Sequence, residues 1–466
     1  MSKKKKNIIL ENIKLISAGA KGVAVGKTEE GKTVLVTGAV PGDVVNARVK
    51  KAKSKYYEAE VLEVIEKSPY RVEPKCIHFG VCGGCKWQNL SYEKQLDFKQ
   101  EEVYNNIKRI GGIENFETLP ILGSEEQYFY RNKMEFSFSN ARWLTQYEIS
   151  SEENFGNKDA LGFHIPGMWS KILDLKECFL QEEPSNEIRL AVRDYAIKNG
   201  LDFYDVRNQE GFLRTLMLRQ NSKGEWMVLF QLYREEKENR ENLFNFVLEK
   251  FPQIKTLVFA INPKGNDSIY DLDIQNYYGE GFLMEEMDGL QFKIGPKSFF
   301  QTNYKQALEL YRKTIEFAEI SENDVVYDLY TGTGTIAQYI AKKAKYVIGI
   351  ESVQEAIDAA IEHAKLNGLE NCEFHCGDMK DVFTEEFLAN HPKADVLITD
   401  PPRDGMHQKV VEQILKLSPP KIVYVSCNSA TQARDLALMK EHYNVVKILP
   451  VDMFPQTHHV ENIALL

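Results

Sequence analysis

One cysteine near the end of the chain has the type and position needed for covalent chemistry. Cys427 stands between Ser426 and Asn428, directly after the apolar run 421–425. A lone cysteine is more often a buried structural residue, but a thiolate that follows a strand and precedes a helix is stabilised by the helix N-terminus. We therefore predict that Cys427 is reactive, whereas Glu461, taken alone, would be a surface carboxylate.

A glycine-containing stretch further upstream has the pattern of a nucleoside site. Residues 328–335, Asp-Leu-Tyr-Thr-Gly-Thr-Gly-Thr, follow one apolar run, and Glu351 ends the next. The glycines permit a tight turn close to a ligand, and a carboxylate at the second strand end can accept both ribose hydroxyls. Ala337 replaces the third glycine of a dinucleotide fingerprint, and no phosphate-loop Lys-Ser/Thr follows. We predict an adenosine-containing ligand without a pyrophosphate.

Two further carboxylates end apolar runs in the same half of the chain. Asp378 follows 372–376, and Asp400 begins Asp-Pro-Pro-Arg at 400–403. Ligands of open α/β sheets bind at the carboxyl ends of the strands. Although each acid alone is more often a loop residue or a helix cap, we predict that Tyr330, Glu351, Asp378 and Asp400 converge on one crevice.

Four of the seven cysteines have a spacing that suits a metal site. Cys76, Cys82 and Cys85 lie close together, and Cys178 follows far downstream. A chain of this length without a secretory signal is not expected to use a disulfide framework. The spacing matches neither ferredoxin runs nor paired Cys-x2-Cys zinc knuckles, so the residues alone leave iron–sulfur and zinc open.

The elements that position these residues fall into three regions. Glycine-punctuated alternating runs over 8–67 predict a small all-β, oligonucleotide-binding (OB-like) barrel. The mixed pattern that follows, with a charged helical stretch near 235–250, predicts an α+β middle domain. Strands that alternate with helices then predict an α/β, Rossmann-like domain. We set the domains at 1–67, 68–291 and 292–466, with core strands of the last at 325–329, 346–350, 396–399 and 421–425.

The charge distribution favours a nucleic-acid partner despite a net charge of −10. Residues 1–75 hold 16 Lys and Arg against 9 Asp and Glu, with a cluster at 48–55. Such a cluster suits phosphate contact, although a solvated face is an equally good interpretation. No apolar run approaches the ~20 residues of a membrane span. The basic start at 1–6 leads into no signal peptide, so we expect a cytoplasmic protein with no membrane partner.

Taken in order, the motifs resemble those of the RNA uracil-5-methyltransferases over nearly the whole chain. They are Phe-Phe-Gln-Thr-Asn at 299–303, the loop 328–335, Asp-Pro-Pro-Arg at 400–403, Ser-Cys-Asn at 426–428 and the tail 452–461. The resemblance implies S-adenosylmethionine as methyl donor, Cys427 as the nucleophile that adds to uracil C6, and Glu461 as the base. It also implies a set of donor-binding residues: Gln301, Tyr330, Thr335, Glu351, Asp378 and Asp400.

The front of the chain resembles the ribosomal RNA branch of that family. Residues 8–67 look like a TRAM domain, and ribosomal members carry a 4Fe-4S cluster at the pattern of Cys76, Cys82, Cys85 and Cys178. The resemblance therefore implies a structural 4Fe-4S cluster and ribosomal RNA, 23S in particular, as substrate. It also implies an RNA contact at Arg131. The target base must leave its stack to reach such a pocket, and Phe299 or Phe300 could cover it, although a core position is the commoner role of such a residue. We expect a monomer.

Other functions are weighed against this one. An amino-group methyltransferase would carry an aromatic residue where Arg403 stands, and a cytosine-C5 enzyme would carry a second cysteine after its Asp-Pro-Pro-type segment. Transfer RNA as substrate stays open. So does a non-catalytic RNA-binding role in ribosome assembly, although the intact Cys427 and Glu461 argue against it.

Overall fold

The computed structural model describes residues 8–151, 156 and 158–466, so the basic start at 1–6 lies outside the described residues. The chain divides into two compact units. The first unit combines the residues up to Lys75 with Gly84–Gln127 and Val396–Leu466, and the second combines Cys76–Gly83 with Tyr128–Asp395.

The described elements alternate between sheet and helix along most of the chain. Up to residue 261 they are β1 (Ile9–Ala18), β2 (Ala24–Lys27), β3 (Thr33–Thr37), β4 (Val44–Ala52), β5 (Tyr56–Glu66), α1 (Tyr92–Arg109), β6 (Glu117–Thr118), β7 (Lys133–Ser139), α2 (Gln146–Ser150), β8 (Ala160–Ile165), β9 (Met168–Asp174), α3 (Ser185–Lys198), β10 (Leu213–Gln220), β11 (Trp226–Leu232), α4 (Lys237–Lys250) and β12 (Ile254–Ile261). From residue 275 they are β13 (Gln275–Tyr278), β14 (Leu283–Met287), β15 (Leu290–Ile294), α5 (Tyr304–Ala318), β16 (Val325–Leu329), α6 (Thr335–Ala341), β17 (Tyr346–Glu351), α7 (Gln354–Leu366), β18 (Cys372–Cys376), α8 (Met379–Val382), α9 (Glu385–Asn390), β19 (Val396–Thr399), α10 (Gln408–Leu417), β20 (Lys421–Ser426), α11 (Ser429–Met439), β21 (Lys447–Val451) and β22 (Glu461–Leu465).

In the first unit, the front of the chain forms a closed barrel in the order β1-β2-β3-β5-β4. Its core contains Leu15, Val34, Val36, Val45 and Ala47, all fully buried. Val34 and Val36 face inward because alternate residues of a strand point to the same side. The predicted small β barrel is confirmed.

The rest of the first unit is built on five strands in the order β19-β20-β22-β21-β6. β19 and β20 run parallel with α10 as their crossover, whereas β22 pairs antiparallel with both β20 and β21. Helix α1 packs against α11, where Nδ2 of Asn106 donates to Oγ of Ser429 at 2.8 Å. The ends of β20 and β22 therefore lie side by side.

The second unit contains a seven-stranded sheet in the order β13-β12-β11-β10-β7-β8-β9, with α3 packed on α4. β10 and β11 are buried along their whole length. β11 is accordingly apolar at every position except Gln231, whereas β10 also buries four polar or charged residues, Arg214, Thr215, Arg219 and Gln220. The charged helical stretch predicted near 235–250 is present as α4, while the predicted domain boundaries stay predictions.

A parallel set of strands, β18-β17-β16, also belongs to the second unit, with α6 and α7 as crossovers. β16 begins and ends at the predicted residues, and β17 is one residue longer than predicted. In the first unit, β19 matches its predicted run and β20 is one residue longer than predicted. The alternation of parallel strands with helices that the sequence predicted is confirmed in both units.

Among the residues described, no helix has both the length and the apolar content that crossing a membrane requires.

Candidate active site

The pairing of β20 with β22 brings Cys427 opposite Glu461. Ser426 pairs with Asn462 in this antiparallel register. One step further along both chains, Cys427 faces Glu461, because antiparallel partners move in opposite directions. The half-buried thiol and the buried carboxyl interact electrostatically. Two residues that are 34 positions apart in the sequence thus lie side by side as a pair.

Burial and negative charge set the protonation of this pair. Burial, followed by the charges of Glu461 and Asp400, raises the pKa of the Cys427 thiol to about 11, while Arg403 acts in the opposite direction. Burial and Asp400 raise the pKa of Glu461 to about 8, again opposed by Arg403. Both groups are therefore mainly protonated at neutral pH.

The raised pKa of Cys427 differs from the stabilised thiolate expected at the start of a helix. Asn428 does cap α11, accepting a hydrogen bond from Ala430 N at 3.1 Å, so the helix start is where it was expected. However, the cysteine stands one residue before the cap, and burial beside two carboxylates outweighs the helix dipole. The thiol, rather than the thiolate, is therefore the favoured form at neutral pH.

The turn at 400–406, which carries Asp400 and Arg403, is held from α11. Nδ2 of Asn428 and Oγ1 of Thr431 both donate to the Arg403 carbonyl, at 2.9 and 3.0 Å. The buried carboxylate of Asp435 accepts from Met406 N at 2.8 Å and from the Tyr424 hydroxyl at 2.7 Å. Sequence reasoning missed Asp435, since nothing in the spacing marks a helical Asp as the anchor of a distant turn.

The tail before Glu461 is fixed to α1 by a fully buried ion pair. Nζ of Lys99 lies 2.6 Å from Oδ1 of Asp452 and also donates to the Phe454 carbonyl at 3.2 Å. Oδ2 of Asp452 accepts from the Tyr92 hydroxyl at 2.9 Å. Sequence reasoning assigned no role to Lys99, because a lysine on an amphipathic helix normally faces solvent.

A cavity of about 660 Å³ opens beside Cys427 within the first unit. Its walls come from the barrel turn at 17–21, one face of α1, the start of α11 and residues 458–460. Lys21, Arg109 and Arg403 line it together with Glu101 and Glu102. The volume falls within the ~300–1,000 Å³ typical of ligand pockets. The basic groups suit a phosphate-bearing ligand that reaches the thiol.

In the second unit, hydrogen bonds hold Glu351 and the glycine loop 328–335 in a fixed arrangement that suits a ligand. Oε2 of Glu351 accepts from Gly332 N at 3.1 Å, and Oε1 accepts from Val353 N at 3.1 Å. A side chain at Gly334 would lie 2.9 Å from Cβ of Ala360, whereas one at Gly332 would meet open space. The loop therefore packs tightly on one side and stays open on the other, as close approach of a ligand requires.

The other residues of this unit that are predicted to bind the methyl donor lie around the same strand ends. Tyr330 adopts a left-handed φ of 64° at the end of β16, and Thr335 begins α6. Gly377, just before Asp378, donates to the Glu351 carbonyl at 2.8 Å. Burial raises the pKa of Asp328, the first residue of the loop, to about 7. Tyr330, Glu351 and Asp378 thus follow adjacent strands, and the convergence of Asp400 with them stays a prediction.

The segment that carries Gln301 is anchored by a buried arginine. Arg219 donates to the carbonyls of Gly295 and Ser298, at 2.8 and 3.0 Å. Nδ2 of Asn132 donates to the Gln301 carbonyl at 2.9 Å. Phe299 is 71% exposed, while Phe300 is buried. Of the two aromatics predicted to cover a base, only Phe299 is thus available at the surface. The side chain of Arg131 is partly buried beside Met134.

The surroundings of Cys178 suit an anionic thiolate centre. Asn186 holds its backbone on both sides, accepting from Cys178 N at 2.8 Å and donating to its carbonyl at 3.0 Å. Burial lowers the pKa of the nearby Arg189 to about 10, and the charge of Cys178 opposes that shift. Nε of Arg189 has no hydrogen-bond partner among the described residues. A buried cation with unused hydrogen-bonding capacity compensates negative charge at a cluster of thiolates.

The chain is similar to known RNA methyltransferases. A model of the tRNA (Uracil-5-)-methyltransferase family matches residues 259–466, and a TRAM domain model matches residues 15–62. A Bacteroides thetaiotaomicron protein described as an uncharacterized RNA methyltransferase is 50% identical over 96% of this chain and 99% of its own length. One from Chlorobaculum tepidum, with the same description, is 43% identical over 94% and 92%.

A solved structure is similar along the whole chain. It is the Pyrococcus abyssi tRNA (uracil-54, C5)-methyltransferase in complex with S-adenosyl-L-homocysteine. The likeness covers 98% of this chain and 100% of that one, with 28% identity and a TM-score of 0.75.

The buried carboxyl of Glu461 makes stability depend on pH in a defined direction. Its pKa is about 8 in the folded chain against 4.5 for the ordinary group. The stability it contributes is therefore complete below pH 4.5 and is lost as pH rises through 8, by about 5 kcal/mol at most. We expect the melting temperature of Glu461→Gln to exceed that of the unaltered protein by an amount that grows as pH rises from 5 to 9. Exposed Glu441→Gln is the control, and equal melting shifts for the two variants would contradict the burial argument.

Proposed function

We propose that this chain, which belongs to the RNA uracil-5-methyltransferase family, methylates C5 of a uracil in 23S ribosomal RNA through a covalent adduct with Cys427. Membership makes it an RNA (uracil-C5)-methyltransferase dependent on S-adenosylmethionine. The observation that carries the covalent step is the register that sets Cys427 opposite Glu461. We further propose that the enzyme acts as a cytoplasmic monomer.

The nucleophile is needed because uracil C5 is too electron-poor to attack a sulfonium methyl group by itself. The Cys427 thiol loses its proton to water, the resulting thiolate forms a bond to C6, and the C5–C6 π electrons move towards O4 as an enolate. C5 then forms a bond to the donor methyl group, and the methyl–sulfur bond breaks. Arg403 is the group near the thiol that favours its ionised form.

Glu461 completes the reaction as the base. Its carboxylate takes the C5 proton, the electrons of that C–H bond restore the C5–C6 double bond, and the C6–S bond breaks to return the thiolate. A pKa near 8 suits this role, because a base poised near neutral pH both accepts and releases a proton readily. Asp400 acts on both reacting groups. A hydrogen bond from Asp400 to the uracil edge therefore fits as well as one to the donor's amino group.

The methyl donor would be held by the glycine loop and the residues around it. Glu351 would take the ribose hydroxyls, the open side of Gly332 would admit the adenosine, and Gln301, Tyr330, Thr335 and Asp378 would complete the contacts. S-adenosylmethionine supplies an activated methyl group when bound. The target base would leave its stack to enter the cavity beside Cys427, with exposed Phe299 available as a cover.

A 4Fe-4S cluster on Cys76, Cys82, Cys85 and Cys178 is proposed as a structural part of the enzyme. All four residues that would bind the cluster are cysteines. The buried Arg189 beside Cys178 supports a negatively charged centre. Uracil methylation consumes no electrons, so the cluster has no redox step to perform. Its role would be to hold distant segments of the chain together.

Ribosomal and transfer RNA are both candidate substrates. The TRAM domain and the four cysteines favour ribosomal RNA. The Pyrococcus abyssi enzyme, which is similar over its full length, has transfer RNA in its description and favours the second candidate. Because that likeness includes the barrel region, the barrel alone does not separate the two, and the cysteines carry the preference for 23S RNA.

Substitution of the reactive pair tests the covalent mechanism. Cys427→Ala should make methylation undetectable while donor affinity, measured by calorimetry, stays within about twofold, because the donor contacts lie elsewhere. Glu461→Gln should accumulate a methylated protein–RNA adduct on denaturing gels, since the C5 proton stays in place. Glu441→Gln is the matched control. Absence of both product and adduct from Glu461→Gln would contradict its role as the base.

Iron content tests the cluster. Anaerobically purified protein should contain about four iron atoms per chain. Each of Cys76→Ser, Cys82→Ser, Cys85→Ser and Cys178→Ser should lose most of them, whereas exposed Cys376→Ser should not. Zinc in place of iron in the unaltered chain would overturn the iron–sulfur assignment but not the four-cysteine site.

Substrate preference is tested by incubating the full-length protein with labelled donor and unmodified 23S RNA or transfer RNA. The expected product is 5-methyluridine in 23S RNA, identified by nucleoside analysis. Product in transfer RNA alone would overturn the substrate while keeping the reaction. Product in neither RNA would favour the non-catalytic RNA-binding role in ribosome assembly.

A further inference from the structure

A second cluster of metal-binding side chains lies on β18 and beside it in the second unit. Glu373 and His375 are two residues apart on this strand, so their side chains point to the same face. His391 follows the end of α9 and joins them. None of the three belongs to the residues proposed for methyl transfer.

The distances among their ligand atoms suit a single ion. One nitrogen or oxygen from each of the three residues lies within 4.8 Å of the other two. Oε1 of Glu373 is 3.1 Å from Nε2 of His375 and 3.8 Å from Nε2 of His391. Two ligands about 2.1 Å from a tetrahedral zinc ion are separated by about 3.4 Å. The three ligand atoms therefore need only small shifts to bind the same zinc ion.

The groups around the cluster already orient these ligands. Nδ1 of His391 lies 2.7 Å from the Phe387 carbonyl, a contact that places its proton there and leaves a lone pair on Nε2. The Tyr346 hydroxyl donates to Oε2 of Glu373 at 2.7 Å, which leaves Oε1 to face the imidazoles. Metal-ligating histidines and carboxylates have this kind of supporting hydrogen bond.

One nitrogen at the centre of the cluster makes no well-aligned hydrogen bond with the residues that the structure describes. Nε2 of His375 is buried and makes no hydrogen bond with any described residue, despite its approach to Glu373. Phe387 stacks on His391 with 4.0 Å between ring centroids and meets the His375 ring edge-on at 4.9 Å. Phe387 thus holds both imidazoles in place. A buried polar nitrogen without a partner calls for an ion or a water molecule.

We propose that Glu373, His375 and His391 form a binding site for a divalent transition metal ion, Zn²⁺ in particular. Two imidazoles and one carboxylate suit this class of ion. Three protein ligands leave a fourth position for water. A cavity of about 410 Å³, lined by Lys345, Tyr346 and His391, gives access to it.

The site is separate from the chemistry of methyl transfer. The cavity is lined by Val325 and Tyr346, the first residues of β16 and β17. The glycine loop and Glu351 lie at the opposite, carboxyl ends of these strands. The ion would link β18 to the segment after α9.

Zinc binding to the full-length protein tests the proposal. Zn²⁺ should raise the melting temperature of the unaltered protein. Its calorimetric affinity for one site should fall at least about tenfold in His391→Ala and in Glu373→Gln, each of which removes a ligand. Tyr346→Phe should weaken binding by roughly 10–100-fold, because it removes only the support of Glu373. Exposed His442→Ala is the matched control.

Absorption spectroscopy at the zinc edge separates this site from the four cysteines. Nitrogen and oxygen neighbours at about 2.0–2.1 Å support the proposal, and sulfur neighbours alone at about 2.3 Å overturn it. It is also overturned if the ligand variants, shown to be folded by circular dichroism, bind Zn²⁺ as tightly as His442→Ala. Neither result depends on a measurement of RNA methylation, so this proposal fails independently of the proposed function.

Discussion

The buried ion pair between Lys99 and Asp452 is the interaction on which the active site depends most. Both side chains are fully buried, and their charged atoms are 2.6 Å apart. Removing one partner of such a pair costs about 3–5 kcal/mol, because the other charge is left in an apolar interior. The pair fixes the tail to α1 and thereby sets where β22 begins. The position of Glu461 opposite Cys427 follows from that anchor.

Burial in the same region determines how the reactive groups behave before RNA binds. It raises the pKa of Cys427 and of Glu461, and Asp400 adds to both effects. A site that held a thiolate and a carboxylate side by side at rest would have to offset two desolvated like charges. The protonated resting state avoids this cost. Arg403, which already lies near both groups, favours their ionised forms but is outweighed by burial and by Asp400.

Local sequence patterns were sufficient for much of the fold. Alternating residues such as Val34 and Val36 predicted the barrel, and apolar runs predicted β16, β19 and β20 almost to the residue. The predicted strand ends then gave the positions of the glycine loop and Cys427, because ligands of a parallel sheet bind at the carboxyl ends of its strands. The ionisation state of Cys427 was not predictable in this way, since it depends on Asp400 and Glu461, which approach it from elsewhere in the chain.

The sequence by itself determined which residue types stand at strand ends and which segments alternate, because these are properties of neighbouring residues. Only the tertiary structure decided which distant groups meet. The register of Ser426 with Asn462, the pairing of Lys99 with Asp452 across 353 positions, and the approach of His391 to β18 all depend on burial and long-range pairing. No local periodicity encodes such contacts, since their free energy exists only once the chain is packed.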